Sequence, residues 1–208
     1  MLDLTNISLQ FGGKYLFKDV NLKLNSGDMI SLVGANGTGK SSLLKIICGE
    51  LQPESGKIFR QKRISIGYLP QENVTHSGTS LLDEAKSALT DIIELQGKEE
   101  ELTDKLSNPE ITDEDRDDLV HQLGEVHLRL EELDSYSAES RAERILTGLG
   151  FDEEDFQRLT DEFSGGWQMR IALAKILIQQ NDLLLMDEPT NHLDLDSLEW
   201  LIGFLKSY

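Results

Sequence analysis

Gly34-Ala35-Asn36-Gly37-Thr38-Gly39-Lys40-Ser41 has the spacing G-x-x-x-x-G-K-S, which is that of a phosphate-binding loop. The glycines let the backbone curl so that several N–H groups face one concavity. A helix starting just beyond adds its positive dipole end. Lys40 brings a point charge for the β- and γ-phosphates of a nucleotide, and Ser41 a hydroxyl for Mg²⁺. The flanks agree with this chemistry. Met29 to Val33 reads as a buried strand leading into the loop, and Ser41 to Cys48 as a helix closed by Gly49.

Two acids form the second group. Leu183-Leu184-Leu185-Met186 is an apolar run suited to a buried parallel strand, and it ends in Asp187-Glu188. An Asp at that strand end can hold Mg²⁺ through water. The adjacent Glu can orient and polarise an attacking water. Without a phosphate loop upstream, two acids after an apolar run read as a solvated turn. Gln71, in Leu69-Pro70-Gln71-Glu72, reads either as a surface side chain or as one reaching a metal-bound water or the γ-phosphate. In Phe163-Ser164-Gly165-Gly166-Trp167-Gln168, small residues at a helix start make a further anion site. Phe11 reads as a core aromatic or as a ring for stacking on a base.

The elements that must position these groups follow from periodicity. Leu2 to Leu9 and Asp19 to Leu24 alternate with period two and are joined by a short turn, which predicts an antiparallel pair. Pro53-Glu54-Ser55-Gly56 is a turn, and Lys57–Phe59 and Ile64–Leu69 are short strands. Ala85, Leu89 and Ile92 recur at helical spacing, followed by Leu102 and Leu106. Ser107-Asn108-Pro109 breaks that run, and Thr112-x-x-Asp115 restarts a helix as a variant capping box. Leu119, Leu123, Val126, Leu130 and Leu133 then alternate spacings of four and three, the pattern of a helical-hairpin seam. Further helices are expected over 138–147, 168–179 and 195–205. The 168–179 helix would turn Ile171, Leu173, Ala174, Leu177 and Ile178 inward.

The chain has 208 residues and a formal net charge of −18, unevenly placed. Residues 1–82 carry nine Lys and Arg against six Asp and Glu, a net +3. Residues 83–162 carry eight against 26, a net −18, and residues 163–208 carry three against six, a net −3. The acidic middle reads as a separate unit. Its charge argues against general RNA binding, because phosphate contacts need Lys and Arg. No apolar run reaches the length of a membrane span and no secretory pattern opens the chain, so a cytoplasmic location is the default. Cys48 stands alone and reads as a small buried hydrophobe.

Taken together, these motifs resemble the ATP-binding cassette superfamily, in the family's order and across the whole chain. The resemblance implies an α/β P-loop NTPase (RecA-like) core with a parallel sheet and an N-terminal antiparallel β subdomain. It also implies an inserted helical subdomain with a hairpin arm. The expected divisions are 1–74, 75–162 and 163–208. By the same resemblance, Gly34, Asn36, Gly37, Thr38, Gly39, Lys40, Ser41 and Ser42 bind ATP, and Phe11 lies where the family stacks adenine. Ser41, Gln71 and Asp187 would attend Mg²⁺, and Glu188 with Gln71 would serve hydrolysis. Ser164, Gly165, Gly166, Trp167 and Gln168 look like the signature motif, which acts on the ATP of an opposite cassette. Asn191-His192-Leu193-Asp194 looks like the D-loop.

Phe-Ser-Gly-Gly-Trp-Gln-Met-Arg (163–170) and Asp-Glu-Pro-Thr-Asn-His-Leu-Asp (187–194) are similar to the F subfamily, whose members carry two cassettes and act on ribosomes. The family's switch His lies on a later strand, and His192 is not that residue. The chain therefore reads as an N-terminal cassette whose partner is a second cassette of the same protein. The implied function is ATP hydrolysis that modulates translation. The alternatives are the ATPase subunit of a membrane transporter, a chromosome-maintenance ATPase, for which the hairpin is too short, and a plain binding module.

Overall fold

Leu2 and Leu4, and after a register shift Ile7 and Leu9, are buried along β1 (Leu2–Phe11), the centre of a three-stranded antiparallel sheet. β2 (Lys14–Leu24) joins it through Gly12 and Gly13, both at positive φ (56° and 79°), as the tight two-residue hairpin requires. β3 (Ser55–Arg60) covers the other edge of β1. Gly56 is fixed by a close approach. Its φ is +103°, and a Cβ there would lie 2.5 Å from the Asn6 carbonyl oxygen. Helix α1 (Lys40–Cys48) places Leu43, Ile46 and Ile47 in one apolar cluster with the inward face of β1, closed by Gly49 in the left-handed conformation.

The structure is a computed structural model describing residues 1–71, 78–108 and 111–208. It divides into two units, Met1–Val74 with Gln180–His192, and Thr75–Gln179 with Leu193–Tyr208. Glu72, Pro109 and the expected 74/75 division itself lie outside the described residues. In the first unit, β4 (Ile66–Leu69) and β5 (Leu183–Met186) pair in parallel, Ile66 opposite Leu183 through Leu69 opposite Met186. Asp182 locks the register: its carboxylate accepts from Ser65 N and Oγ, both at 2.9 Å. These bonds hold its carboxyl below the usual range.

The second unit is helical. It contains α2 (Leu81–Lys86), α3 (Thr90–Leu106), α4 (Asp113–Glu132), α5 (Ser135–Gly148), α6 (Gly165–Ile178) and α7 (Leu195–Lys206). α3 and α4 form the expected hairpin. Ile92, Leu102, Val126 and Leu130 are buried in its seam, with Leu119, Leu123 and Leu133 packed against them. Thr112 caps α4 by accepting from Asp115 N, while its hydroxyl donates to the Asp115 carboxylate. No described helix is long and apolar enough to cross a membrane.

Several expectations change. Met29–Val33 is not a strand but an irregular, exposed segment, with Val33 87% exposed. A strand needs a ladder partner, and no described strand pairs with it. Ser55 and Gly56 belong to β3 rather than to a turn, because β1 pairs with the strand on both sides of Gly56, Ser8 with Ser55 and Thr5 with Lys57. The helix read through Ala85, Leu89 and Ile92 breaks at 87–89 into α2 and α3. The region expected as a second core part over 163–208 divides: α6 and α7 belong to the helical unit, and β5 to the first.

Candidate functional site

The phosphate loop runs from Gly34 into the first turn of α1. Gly39 caps that helix at φ 96° in the left-handed region. Lys40 Nζ donates back to the carbonyls of Gly34 (3.0 Å) and Ala35 (3.2 Å), and the Thr38 hydroxyl donates to Ala35 O at 2.8 Å. These bonds fold residues 34–40 into a closed turn with the ammonium at its mouth. Ser41 and Ser42 follow in the first helical turn.

Gly39 also lies hard against β2. A Cβ there would stand 2.7 Å from Leu16 Cδ2 and 2.9 Å from Phe17 Cδ1. Gly39→Ala adds left-handed strain to this clash and should cost about 1–3 kcal/mol in denaturant unfolding. Gly124→Ala, in the middle of α4 with nothing within 4 Å of the added methyl, should instead stabilise by about 0.5–1 kcal/mol.

The acids stand at the end of β5 in the same unit as the loop, and α1 packs against both β4 and β5. Asp187 continues the ladder, its N–H donating to Leu69 O at 3.0 Å. It is buried at 4% exposure, and its Oδ2 has no hydrogen-bond partner among the described residues. Burial, and then the charge of Asp187, push the Tyr68 phenol up to about 12. The neighbouring Glu188 has φ 52°, a left-handed conformation uncommon for a residue with a side chain. Its Oε2 accepts from Gln71 Nε2 at 2.9 Å and from Asn191 Nδ2 at 2.8 Å. The structure thus brings Gln71, Glu188 and Asn191 together. A buried, unpaired carboxylate oxygen at the end of β5, a strand against which the helix of the phosphate loop packs, fits a hard cation, and Mg²⁺ typically takes one or two carboxylates with phosphate oxygens and water. No cluster of three or more His, Cys, Asp or Glu poised to hold a metal occurs among the described residues.

Phe11 is 59% exposed at the β1–β2 hairpin, which removes the reading as a core aromatic. In the helical unit, Ser164 and Gly165 are exposed at the start of α6, and Ser164 makes no side-chain cap. Trp167 and Gln168 point elsewhere. Trp167 packs on Phe151 (centroids 4.8 Å apart) and Phe163 (6.4 Å), and the Gln168 amide donates to Thr160 O. The start of α6 therefore exposes the serine and first glycine and keeps the next aromatic and amide inside the helical unit. Asp194 caps α7, its Oδ1 accepting from Ser197 N at 2.8 Å. That bond, followed by the Arg170 guanidinium 3.0 Å from Oδ2, holds its carboxyl down at about 2.

Two residues with a part in this geometry, Asn191 and Arg170, carry no role in the motif reading. Asn191 stands inside a recognised motif, three residues after Glu188. Arg170 could have been found as a charge set between Met169 and Ile171 in an apolar helix.

The family model described as "ABC transporter" matches residues 17–191. ABC transporter F family member 2 of Arabidopsis thaliana is 37% identical over 203 residues, covering 97% of this chain and 30% of that protein. Probable ATP-binding protein YheS of Escherichia coli K12 is 36% identical over 208 residues, covering 100% of this chain and 31% of that protein. The chain thus spans about a third of these relatives. Among solved structures, the ATP-binding subunit of an ABC transporter superposes with a TM-score of 0.69 at 18% identity, covering 100% of this chain and 74% of that one. A dimeric ATP-binding cassette in a post-hydrolysis state with ADP and Pi superposes at 0.64 and 23%, covering 100% and 82%. With the family model covering most of its length, the chain belongs to the ABC transporter ATPase family, and curated relatives matched along all of it include F family members.

Proposed function

We propose that this chain is a cassette of an F-type ABC protein that binds and hydrolyses ATP with Mg²⁺ to modulate ribosome function. The observation that carries the hydrolytic reading is the Glu188 carboxylate, fixed through one oxygen by Gln71 and Asn191 at the end of β5. Similarity to F family relatives along the whole chain supports the ribosomal reading.

In this mechanism the N–H groups of the phosphate loop and Lys40 hold the triphosphate, and Phe11 stacks on the adenine. Ser41, Gln71 and Asp187 would hold Mg²⁺, which when bound neutralises charge on the β- and γ-phosphates. Glu188 would keep Oε1, the carboxylate oxygen not held by Gln71 and Asn191, for a water, accepting its proton as that water attacks the γ-phosphorus in line, while the bond to the β–γ bridging oxygen breaks and ADP leaves with its electron pair. Ser164 and Gly165 would cap the γ-phosphate of a second cassette's ATP, and Asp194 belongs to the turn between the acids and α7. Phosphoryl transfer depends on positioning and charge stabilisation, so one cassette alone is half a site.

Steady-state ATP turnover by this chain over a range of its own concentrations tests the composite site. Specific activity should be low and rise with concentration. A rate per molecule independent of concentration would contradict the two-cassette mechanism.

A further inference from the structure

Arg170 is buried at 8% exposure on α6, one turn beyond the signature glycines, and its contacts join α6 to two other segments of the helical unit, the end of α5 and the start of α7. Nη1 donates to Leu149 O at 2.8 Å and to Ser197 Oγ at 3.3 Å, and it pairs with Asp194 Oδ2 at 3.0 Å. The guanidinium carbon lies 4.4 Å from the centroid of the Trp167 ring, in cation–π geometry. The space around it is closed. Gly150 has φ +92°, and a Cβ there would stand 2.8 Å from Nη1. One planar cation thus grips an aromatic in the first turn of the signature helix with its face, and the N-cap of α7 with its edge.

We propose that Arg170 is a positioning residue that makes the signature turn and the Asp194 turn move as one piece. The inference rests on the composite-site reading above and goes further, by naming the link between the two segments. The clamp holds Asp194, six residues after Glu188 in the sequence. The same clamp fixes Trp167, directly after Gly165 and Gly166. Closure on a second cassette's ATP would then set both together. Lys cannot replace Arg here, because a point ammonium has no planar face to lay on the Trp167 ring while its head reaches Leu149, Ser197 and Asp194.

The test uses the intact protein carrying this cassette. ATP turnover, MgATP affinity and thermal midpoint are compared for wild type, Arg170→Lys, Arg170→Ala, Asp194→Asn and the Arg170→Ala/Asp194→Asn pair. Asp194 is half-exposed, so Asp194→Asn carries the test if the buried site does not tolerate Arg170→Ala. The expected result is a fall in kcat of about 10–100-fold for Asp194→Asn and for Arg170→Lys, as a misplacement of about 1 Å produces. MgATP affinity should stay within about threefold, and the double variant should be no slower than the slower single one. Unchanged kcat, single effects that multiply, or losses of affinity and thermal midpoint in parallel with kcat would overturn the coupling. A wild-type protein without turnover would instead overturn the hydrolytic reading, and this inference with it.

Discussion

Glu188→Gln is expected to lower ATP turnover by about 10²–10⁴-fold while MgATP affinity stays within about threefold, the range spanned by removing a positioned general base. The geometry separates the two effects. Both anchoring donors, Gln71 Nε2 and Asn191 Nδ2, meet the same oxygen, and an amide carbonyl in its place can accept from both. What the substitution removes is the basicity that takes a proton from water. The phosphate-holding groups, Lys40 and the loop N–H groups, are untouched. Single-turnover kinetics with nucleotide-binding titration measure this. A variant with wild-type turnover would show that the base lies elsewhere.

Lys40→Ala should act on binding first. Its ammonium holds the carbonyls of Gly34 and Ala35 and stands at the mouth of the loop, so truncation loosens the turn and removes the cation that meets the phosphates. Charge-assisted hydrogen bonds contribute about 1.5–3 kcal/mol each. Losing two such bonds to phosphate oxygens in the nucleotide-bound state weakens MgATP by about 100-fold or more. The side chain is only partly buried, so the thermal midpoint should change little. Calorimetric titration with MgATP checks the affinity. An affinity within threefold of wild type would contradict the loop assignment.

Much of the arrangement was legible because local rules and global fold agree there. Gly12-Gly13 dictates a tight hairpin, Gly49 a helix stop, and the four–three spacing from Leu119 to Leu133 the hairpin seam. Sequence periodicity failed where partners decide. Met29 to Val33 has the composition of a buried strand, yet strand state requires a hydrogen-bonded neighbour, which periodicity does not supply. Side-chain direction was equally hidden. Trp167 and Gln168 share a motif with Ser164, but the aromatic cluster and the Thr160 carbonyl turn them inward. The Glu188–Gln71 bond joins residues 117 positions apart, and neither flank announces the other. Asn191, only three residues from Glu188, is a contact that the turn over 189–192 creates.

The acidic arm bears on the larger question, since a hairpin in a segment of net charge −18 is a poor binder of RNA phosphates and a ribosomal contact through it would fall on protein. The central claim is ATP-dependent action on ribosomes. Its most direct test is sedimentation of the intact protein with Glu188→Gln, and the matching change in any second cassette, separately with ribosomes and with membranes. Recovery with ribosomes is expected only when ATP is present. Recovery only with membranes would contradict it and favour a transporter subunit, and recovery with neither would contradict it outright.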